Sequence, residues 1–222
     1  MKNILVIAPH ADDEVLGAGG TIAKLADEGN SVYVAVVTVP EPPDFTAEQA
    51  KQIREEALLS HKLLGVKKTF FLGLPAARLD TTPHKLANQK LCELFAEVKP
   101  HTAFIPFLGD IHLDHQYASL SALVAARPHL PYAPKVVYAY ETMSETNWNA
   151  PYVTPTFVPN TYIDITQYLE DKIQAMKAYG SQIQSFPHER SEEALRALAA
   201  LRGSTVSCFA AEAFVLFRQV IK

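Results

Sequence analysis

Short runs in which nearly every residue is apolar alternate along this chain with longer stretches in which apolar residues recur every three or four positions. Asn3–Ala8 (NILVIA) and Ser31–Val39 (SVYVAVVTV) are runs of the first kind, the pattern of strands covered on both faces. Residues 69–72, 102–107 and 135–140 repeat it. Between these runs, residues 15–27, 47–64, 84–98 and 114–126 carry helical spacing. Gly29-Asn30 and Gly65 close the first two, and Pro100 lies just beyond the third, as helix stops do. Strict strand–helix alternation over the first 140 residues requires crossover connections. The predicted class is therefore α/β and Rossmann-like, a mainly parallel sheet flanked by helices. The last third changes character. Pro151, Pro155 and Pro159 punctuate it; a short strand is expected at 162–165, helices at 168–178 and 191–201, and a final strand at 213–220. No linker-like stretch interrupts the alternation, so residues 1–222 are expected to form a single domain.

Composition narrows the function classes. Hydrophobic residues make up 48% and charged residues 20%, the balance of a soluble globular protein whose core needs no disulfide staples. A net charge of −4 argues against a general nucleic-acid or anionic-membrane surface. Cys92 and Cys208 are far apart and neither belongs to a CxxC pair. They read as buried reduced thiols, and a thiolate zinc site is not expected. The first strand follows Met1-Lys2 directly, without a signal-peptide pattern, and no stretch of about 18 apolar residues occurs. The expected location is cytoplasmic, with no transmembrane segment; a homo-oligomer is compatible with the sequence.

In open α/β sheets chemistry collects at the carboxyl ends of the strands, which directs attention to residues 9–14, 40–44 and 107–115. The first of these loops reads Pro9-His10-Ala11-Asp12-Asp13-Glu14, and the third contains Gly109-Asp110-Ile111-His112-Leu113-Asp114-His115. Consecutive carboxylates delivered by a buried strand repel one another unless a cation or solvent compensates. Imidazole and carboxylate together suit zinc or ferrous iron, and two histidines with one carboxylate leave coordination positions open for catalysis. A remaining carboxylate can deprotonate water, a remaining histidine can donate to an oxyanion, and an acid beside a histidine can fix its tautomer. Taken singly, His-x-Asp-Asp is more often a solvated loop or a helix cap. Two such motifs, at strand ends that a parallel sheet sets side by side, favour a metal site at the C-terminal ends of the strands. Spacing alone does not say whether Asp12 or Asp13 is the ligand.

Other features are weaker. Gly17-Ala18-Gly19-Gly20 lies several residues past the strand end behind an acidic loop that would repel a pyrophosphate, so close helix packing explains it better than a dinucleotide site. Trp148 and Tyr140 suit a sugar face or simple packing equally. His188 and Arg190 either border a pocket or are solvated, and Arg54 on its own reads as a surface ion-pair partner.

These motifs resemble those of the LmbE-like or PIG-L-like N-acetylglucosaminyl deacetylases. Pro9-His10-Ala11-Asp12-Asp13-Glu14 with Gly17, Gly19 and Gly20 matches the first motif of that family, and His112-Leu113-Asp114-His115 the second. Ala11 and Leu113 stand where prolines are usual, and neither contributes a metal-binding atom. Arg54-Glu55-Glu56, Tyr140-Glu141, Ser181-Gln182, Arg202-Gly203 and Ala211-Glu212-Ala213-Phe214 look like its weaker marks. The resemblance implies a Zn2+ site, with Fe2+ as the alternative, held by His10, Asp13 and His115. It implies Asp12 as general base, His112 as oxyanion stabiliser or acid, Asp114 as the partner orienting His112, and Arg54 as a substrate contact. The implied activity is hydrolysis of the acetamide of an N-acetylglucosamine-type amino-sugar conjugate, a small-molecule substrate. A non-haem iron oxygenase using the same three ligands and a non-catalytic carbohydrate- or metal-binding module are the alternatives. Neither explains why Asp12 and His112 would accompany the ligands. The segment 141–159 is expected to shape the acceptor side of the pocket.

Overall fold

The structure, a computed structural model, describes residues 1–150 and 152–221; Pro151, one of the three prolines noted above, lies outside the described residues. Seven strands form one sheet in the order β3-β2-β1-β4-β5-β7-β6. They are β1 (Asn3–Ala8), β2 (Ser31–Val39), β3 (Lys68–Pro75), β4 (Thr102–Pro106), β5 (Val136–Tyr140), β6 (Thr161–Asp164) and β7 (Ala211–Gln219). The first five pair in parallel, and β7 runs antiparallel to both β5 and β6. The helices are α1 (Asp13–Asp27), α2 (Ala47–Leu63), α3 (His84–Val98), α4 (Leu113–Ala125), α5 (Leu169–Ala178) and α6 (Glu192–Thr205).

Strand β1 is apolar from Ile4 to Ala8 because helices cover both its faces. Ile4 and Val6 join Val15, Leu16 and Ile22 of α1, Ala57 of α2, and Ile173 and Met176 of α5. Leu5 and Ile7 turn the other way, onto Leu91 and Phe95 of α3 and Ala118 and Ala122 of α4. The chain leaves β1 toward β2 on one side and returns through β4 on the other. The loops that follow β1 and β4 therefore open a crevice at the carboxyl edge of the sheet, the switch point where such sheets bind ligands.

Several boundaries shift from the sequence expectation, and three of the shifts have a local reason. Helix α1 begins at Asp13, two residues early, which places Asp13 and Glu14 in its first turn, where the helix's partial positive charge favours acids. Strand β3 extends over Lys68–Pro75, past the expected 69–72, by pairing with β2 to its end. Helix α6 continues through Gly203 to Thr205, because the missing side chain at Gly203 leaves room for the backbone of Cys208 and Ala210. The two cysteines are half-buried and unbridged. Among the described residues no helix is long and apolar enough to cross a membrane.

Helix α1 is bent at Ala18 (φ −144°, ψ 16°). Gly17 faces the Tyr140 ring and Gly20 faces Ile165, with no space for a Cβ at either. The bend frees backbone groups in a buried place, and one ion pair satisfies them. Lys172 Nζ donates to Leu16 O at 2.8 Å and to Glu212 Oε1 at 2.6 Å. Glu212 accepts from Gly20 N at 3.1 Å and Thr21 N at 2.7 Å. Both side chains are almost fully buried. Removing one partner of a buried pair leaves an uncompensated charge, at a cost of about 3–5 kcal/mol. Lys172→Met is expected to lose stability in that range by urea denaturation; a loss of about 0.5 kcal/mol, the usual limit for a surface change, would show that the pair does not brace the bend.

Candidate metal centre and its pocket

The loop after β1 carries His10, Asp12 and Asp13, and the loop after β4 with the start of α4 carries Asp110, His112, Asp114 and His115. The crevice brings them together: one ligating atom each from His10, Asp13 and His115 lie within 4.8 Å of one another. The His10 and His115 rings are 5.3 Å apart at their centroids, and His112 stands 4.6 Å from His10.

Hydrogen bonds decide which ring nitrogens carry protons. His115 Nδ1 donates to the buried Asp110 Oδ2 at 2.9 Å, so in the neutral ring Nε2 presents a lone pair. That nitrogen points toward Asp13 Oδ2 at 3.2 Å without an aligned hydrogen bond. His10 Nε2 donates to Asp114 Oδ2 at 3.0 Å, which leaves Nδ1 as the acceptor 3.4 Å from Asp13 Oδ2. Asp13 Oδ1 and His115 Nε2 are buried without a hydrogen-bond partner. Lone pairs converging in a dry place are stable only with a proton or a cation between them. The donor set of two imidazole nitrogens and a carboxylate suits zinc or ferrous iron. Each histidine, moreover, has a carboxylate on its far nitrogen, the arrangement that orients metal-binding imidazoles.

This geometry corrects one expectation. The carboxylate of Asp114 hydrogen-bonds His10 and makes no hydrogen bond to His112, although one of its oxygens lies within 4.8 Å of a nitrogen of that ring. Its other acceptor positions take Ala77 N at 2.6 Å and Leu79 N at 2.9 Å, from the loop after β3. His112 instead caps α4: its Nδ1 accepts the backbone N–H of Asp114 at 3.0 Å. The proton of the neutral ring therefore sits on Nε2, on a side chain that lines the pocket. Asp110, which the sequence reading left without a role, is the residue that fixes His115, and Thr146 Oγ1 donates to its second oxygen at 2.5 Å.

Asp12 is set apart from the ligand cluster. Its backbone has φ 119°, a strained value for a residue with a side chain. Its carbonyl accepts from Val15 N and Leu16 N and so starts α1, but its side chain does not cap the helix. The carboxylate reaches the pocket and accepts from Arg190 at 3.0 Å. Arg190 also donates to Gln182 Oε1 at 3.2 Å and Ser144 Oγ at 3.3 Å. Glu14 points away from the pocket, into a buried network with His61 Nε2 at 3.0 Å and Tyr179 OH at 2.6 Å. The pocket, about 230 Å³, is bounded by His10, Asp12, His112, Glu145, Gln182 and Arg190 on its polar side, and by Val36, Val39, Phe45, Ile53 and Phe71 on its apolar side. Arg54 lines it with its guanidinium 3.8 Å above the Phe71 ring. Tyr140 is a core residue whose hydroxyl donates to Ile7 O at 2.7 Å. Glu141 pairs bidentately with Arg202.

The local field is strongly shaped. Burial opposes charge on His10, but the carboxylates of Asp114 and Asp13 outweigh it and lift the imidazole to about 9. Burial likewise opposes charge on His115, and Asp13 and Asp110 raise it well above its ordinary value. Asp13 is held well below the carboxylate range because His115 and His10 outweigh its burial. Burial pushes Asp12 up to about 8; Arg190 pulls it down while Asp13 and Glu14 push it further up. Burial lowers His112, and His10 lowers it further, which favours the neutral ring.

Residues 5–126 match the family described as "PIG-L: GlcNAc-PI de-N-acetylase". Diacetylchitobiose deacetylase of Thermococcus kodakarensis is 26% identical over 91% of this chain and 78% of its own length. The structure of the N,N'-diacetylchitobiose deacetylase of Pyrococcus horikoshii, in complex with an inhibitor, superposes with a TM-score of 0.78 at 27% identity, covering 97% of this chain and 84% of that one. A 4-oxalmesaconate hydratase of Pseudomonas putida is 26% identical over 82% of this chain and 74% of its own length.

A cation bound by the folded state alone stabilises it by about 2.7 kcal/mol at a hundredfold excess over its dissociation constant. Zn2+ or Fe2+ is therefore expected to raise the melting temperature of chelator-treated protein, and His115→Ala to lose that increment. An equal rise in the variant would place the ion elsewhere.

Proposed function

The chain belongs to the PIG-L family of de-N-acetylases, and from that membership we propose that it is a metal-dependent amide hydrolase removing the acetyl group from an N-acetylglucosamine-type conjugate. The observation that carries this reading is the division of labour at the crevice. Asp13 and two carboxylate-oriented histidines converge on one point, while Asp12 and His112 line the adjoining pocket. Binding a metal would require neither of the latter two.

In this reading His10 Nδ1, Asp13 and His115 Nε2 hold the ion, zinc by preference. When bound, it supplies a Lewis acid that polarises the amide carbonyl and makes water more acidic. Asp12 takes a proton from the attacking water as its oxygen bonds to the carbonyl carbon. His112 donates its Nε2 hydrogen to the developing oxyanion. The C–N bond then breaks, and the proton held by Asp12 or by His112 passes to the leaving nitrogen, giving acetate and a free amine. Arg190 keeps the Asp12 carboxylate aimed into the pocket. Arg54, braced on Phe71, is placed to donate to substrate oxygens.

The hydratase relative favours one other reading, since a base and a neutral donor beside a metal can also add water to a carbon–carbon double bond. Release of acetate from N-acetylglucosamine conjugates separates the two, and oxygen consumption would reveal an oxygenase. Asp12→Asn keeps the shape and removes the base. It is expected to retain metal by elemental analysis while acetate release falls about 10²–10⁴-fold. Near-normal turnover at full occupancy would give the proton transfer to another group. Loss of the His112 donor by His112→Ala is expected to cost about 2.7–4 kcal/mol in transition-state stabilisation, read from kcat/KM. A much smaller loss would remove His112 from the oxyanion site.

A further inference from the structure

A second chamber, about 180 Å³, adjoins the metal pocket. The two share Glu145, Gln182 and Arg190 as a common wall, and the second is completed by Ser144, Trp148, Gln184 and His188. We propose that this chamber is a second carbohydrate subsite, which holds the pyranose linked to the sugar whose amide is hydrolysed, with Trp148 as its stacking platform.

The chemistry of the lining points to a sugar. A pyranose presents a weakly polar C–H face and a rim of hydroxyls, and is recognised by an aromatic plane together with groups that both donate and accept. Trp148 is 54% exposed, which leaves its ring available to a ligand in the chamber. His188 Nδ1 accepts the backbone N–H of Arg190 at 3.0 Å, so the neutral ring carries its proton on Nε2. Gln184 offers a side-chain amide, and the Glu145 carboxylate is an acceptor 3.8 Å from Arg190. The ring of His188 meets that of Trp148 edge-on at 6.4 Å.

The platform is built rather than loose. Glu189 Oε2 accepts from Ser144 N at 2.7 Å, and its other oxygen accepts from Asn147 Nδ2. Asn147 Oδ1 accepts from Ser144 N at 3.0 Å. Asn149 donates to Gly109 O. The turn bearing Trp148 is thus tied on one side to the segment carrying His188 and Arg190, and on the other to the loop that carries Asp110. A sugar in this chamber would meet the reacting one across the shared wall of Glu145, Gln182 and Arg190, so its recognition would position the scissile amide.

The identity of the first sugar rests on the deacetylase reading; the subsite does not, and the test separates them. Trp148 is the only tryptophan in the chain, so its emission reports the chamber directly. Full-length protein is mixed with N-acetylglucosamine or its β-1,4-linked disaccharide, and emission is read at once, with acetate measured in parallel. A saturable shift to shorter wavelength, at lower concentration for the disaccharide, is expected. Trp148→Ala should lower the ratio of disaccharide to monosaccharide kcat/KM about tenfold, and Trp148→Phe should restore most of it. A shift without acetate release would support the subsite and overturn the deacetylase reading. Acetate release with unresponsive emission, or a ratio untouched by Trp148→Ala, would overturn the subsite. Emission that follows protein concentration and ignores sugar would overturn it too, assigning the ring to self-association.

Discussion

Five carboxylates, those of Asp12, Asp13, Glu14, Asp110 and Asp114, are each at most 1% exposed at the carboxyl edge of one sheet. Burying so much potential negative charge in one place is the constraint around which the rest of the structure is arranged. Each acid answers it differently. Asp12 has a guanidinium, Glu14 a histidine and a tyrosine, Asp110 a histidine and a threonine, and Asp114 two backbone N–H groups and a histidine. Asp13 alone keeps a buried oxygen with no partner. The four answered acids surround the crevice, and the fifth belongs to the His10, Asp13 and His115 group that could hold a cation.

Much of this was legible in the sequence because it is local. A central parallel strand must be apolar on both faces, so NILVIA announces itself, and the acids crowded behind it point to a metal once the second motif is set beside them. What stayed hidden is long-range. The family resemblance implied that Asp114 orients His112, two positions away, yet residues two apart at a helix start point in different directions. The true partner, His10, is 104 positions away. Arg190 lies 178 residues from Asp12, and no periodicity or spacing connects an arginine in a polar loop to an acid that far back. Asp110 stood in plain view within the second motif, but nothing short of coordinates shows which nitrogen of which histidine it holds.

The weaker family marks acquire a physical meaning once they are seen in pairs. Glu56 of α2 accepts from both the backbone and the hydroxyl of Ser181. Glu141 at the end of β5 holds Arg202 of α6 in a bidentate bridge. Glu212 of β7 holds Lys172 and the bend of α1. None of these contacts lies at the metal cluster. All join the parallel half of the sheet to the C-terminal third, which supplies Arg190, Gln182 and the second chamber. The marks lie where the two parts of the chain are locked in register, so that Asp12 of the first meets Arg190 of the second.

The bend in α1 has a temporal consequence. Asp13 and Glu14 ride on the short stretch of helix before Ala18, and the groups that steady this stretch arrive from α5 and β7. A chain emerging from the ribosome would therefore present all three converging ligands once α4 is made, some hundred residues before their scaffold is complete. During that interval a metal ion meeting the nascent polypeptide would find the donor atoms without their spacing. If the cluster holds an ion, tight capture would wait until synthesis reaches Glu212, and selectivity among ions would be a property of the finished molecule.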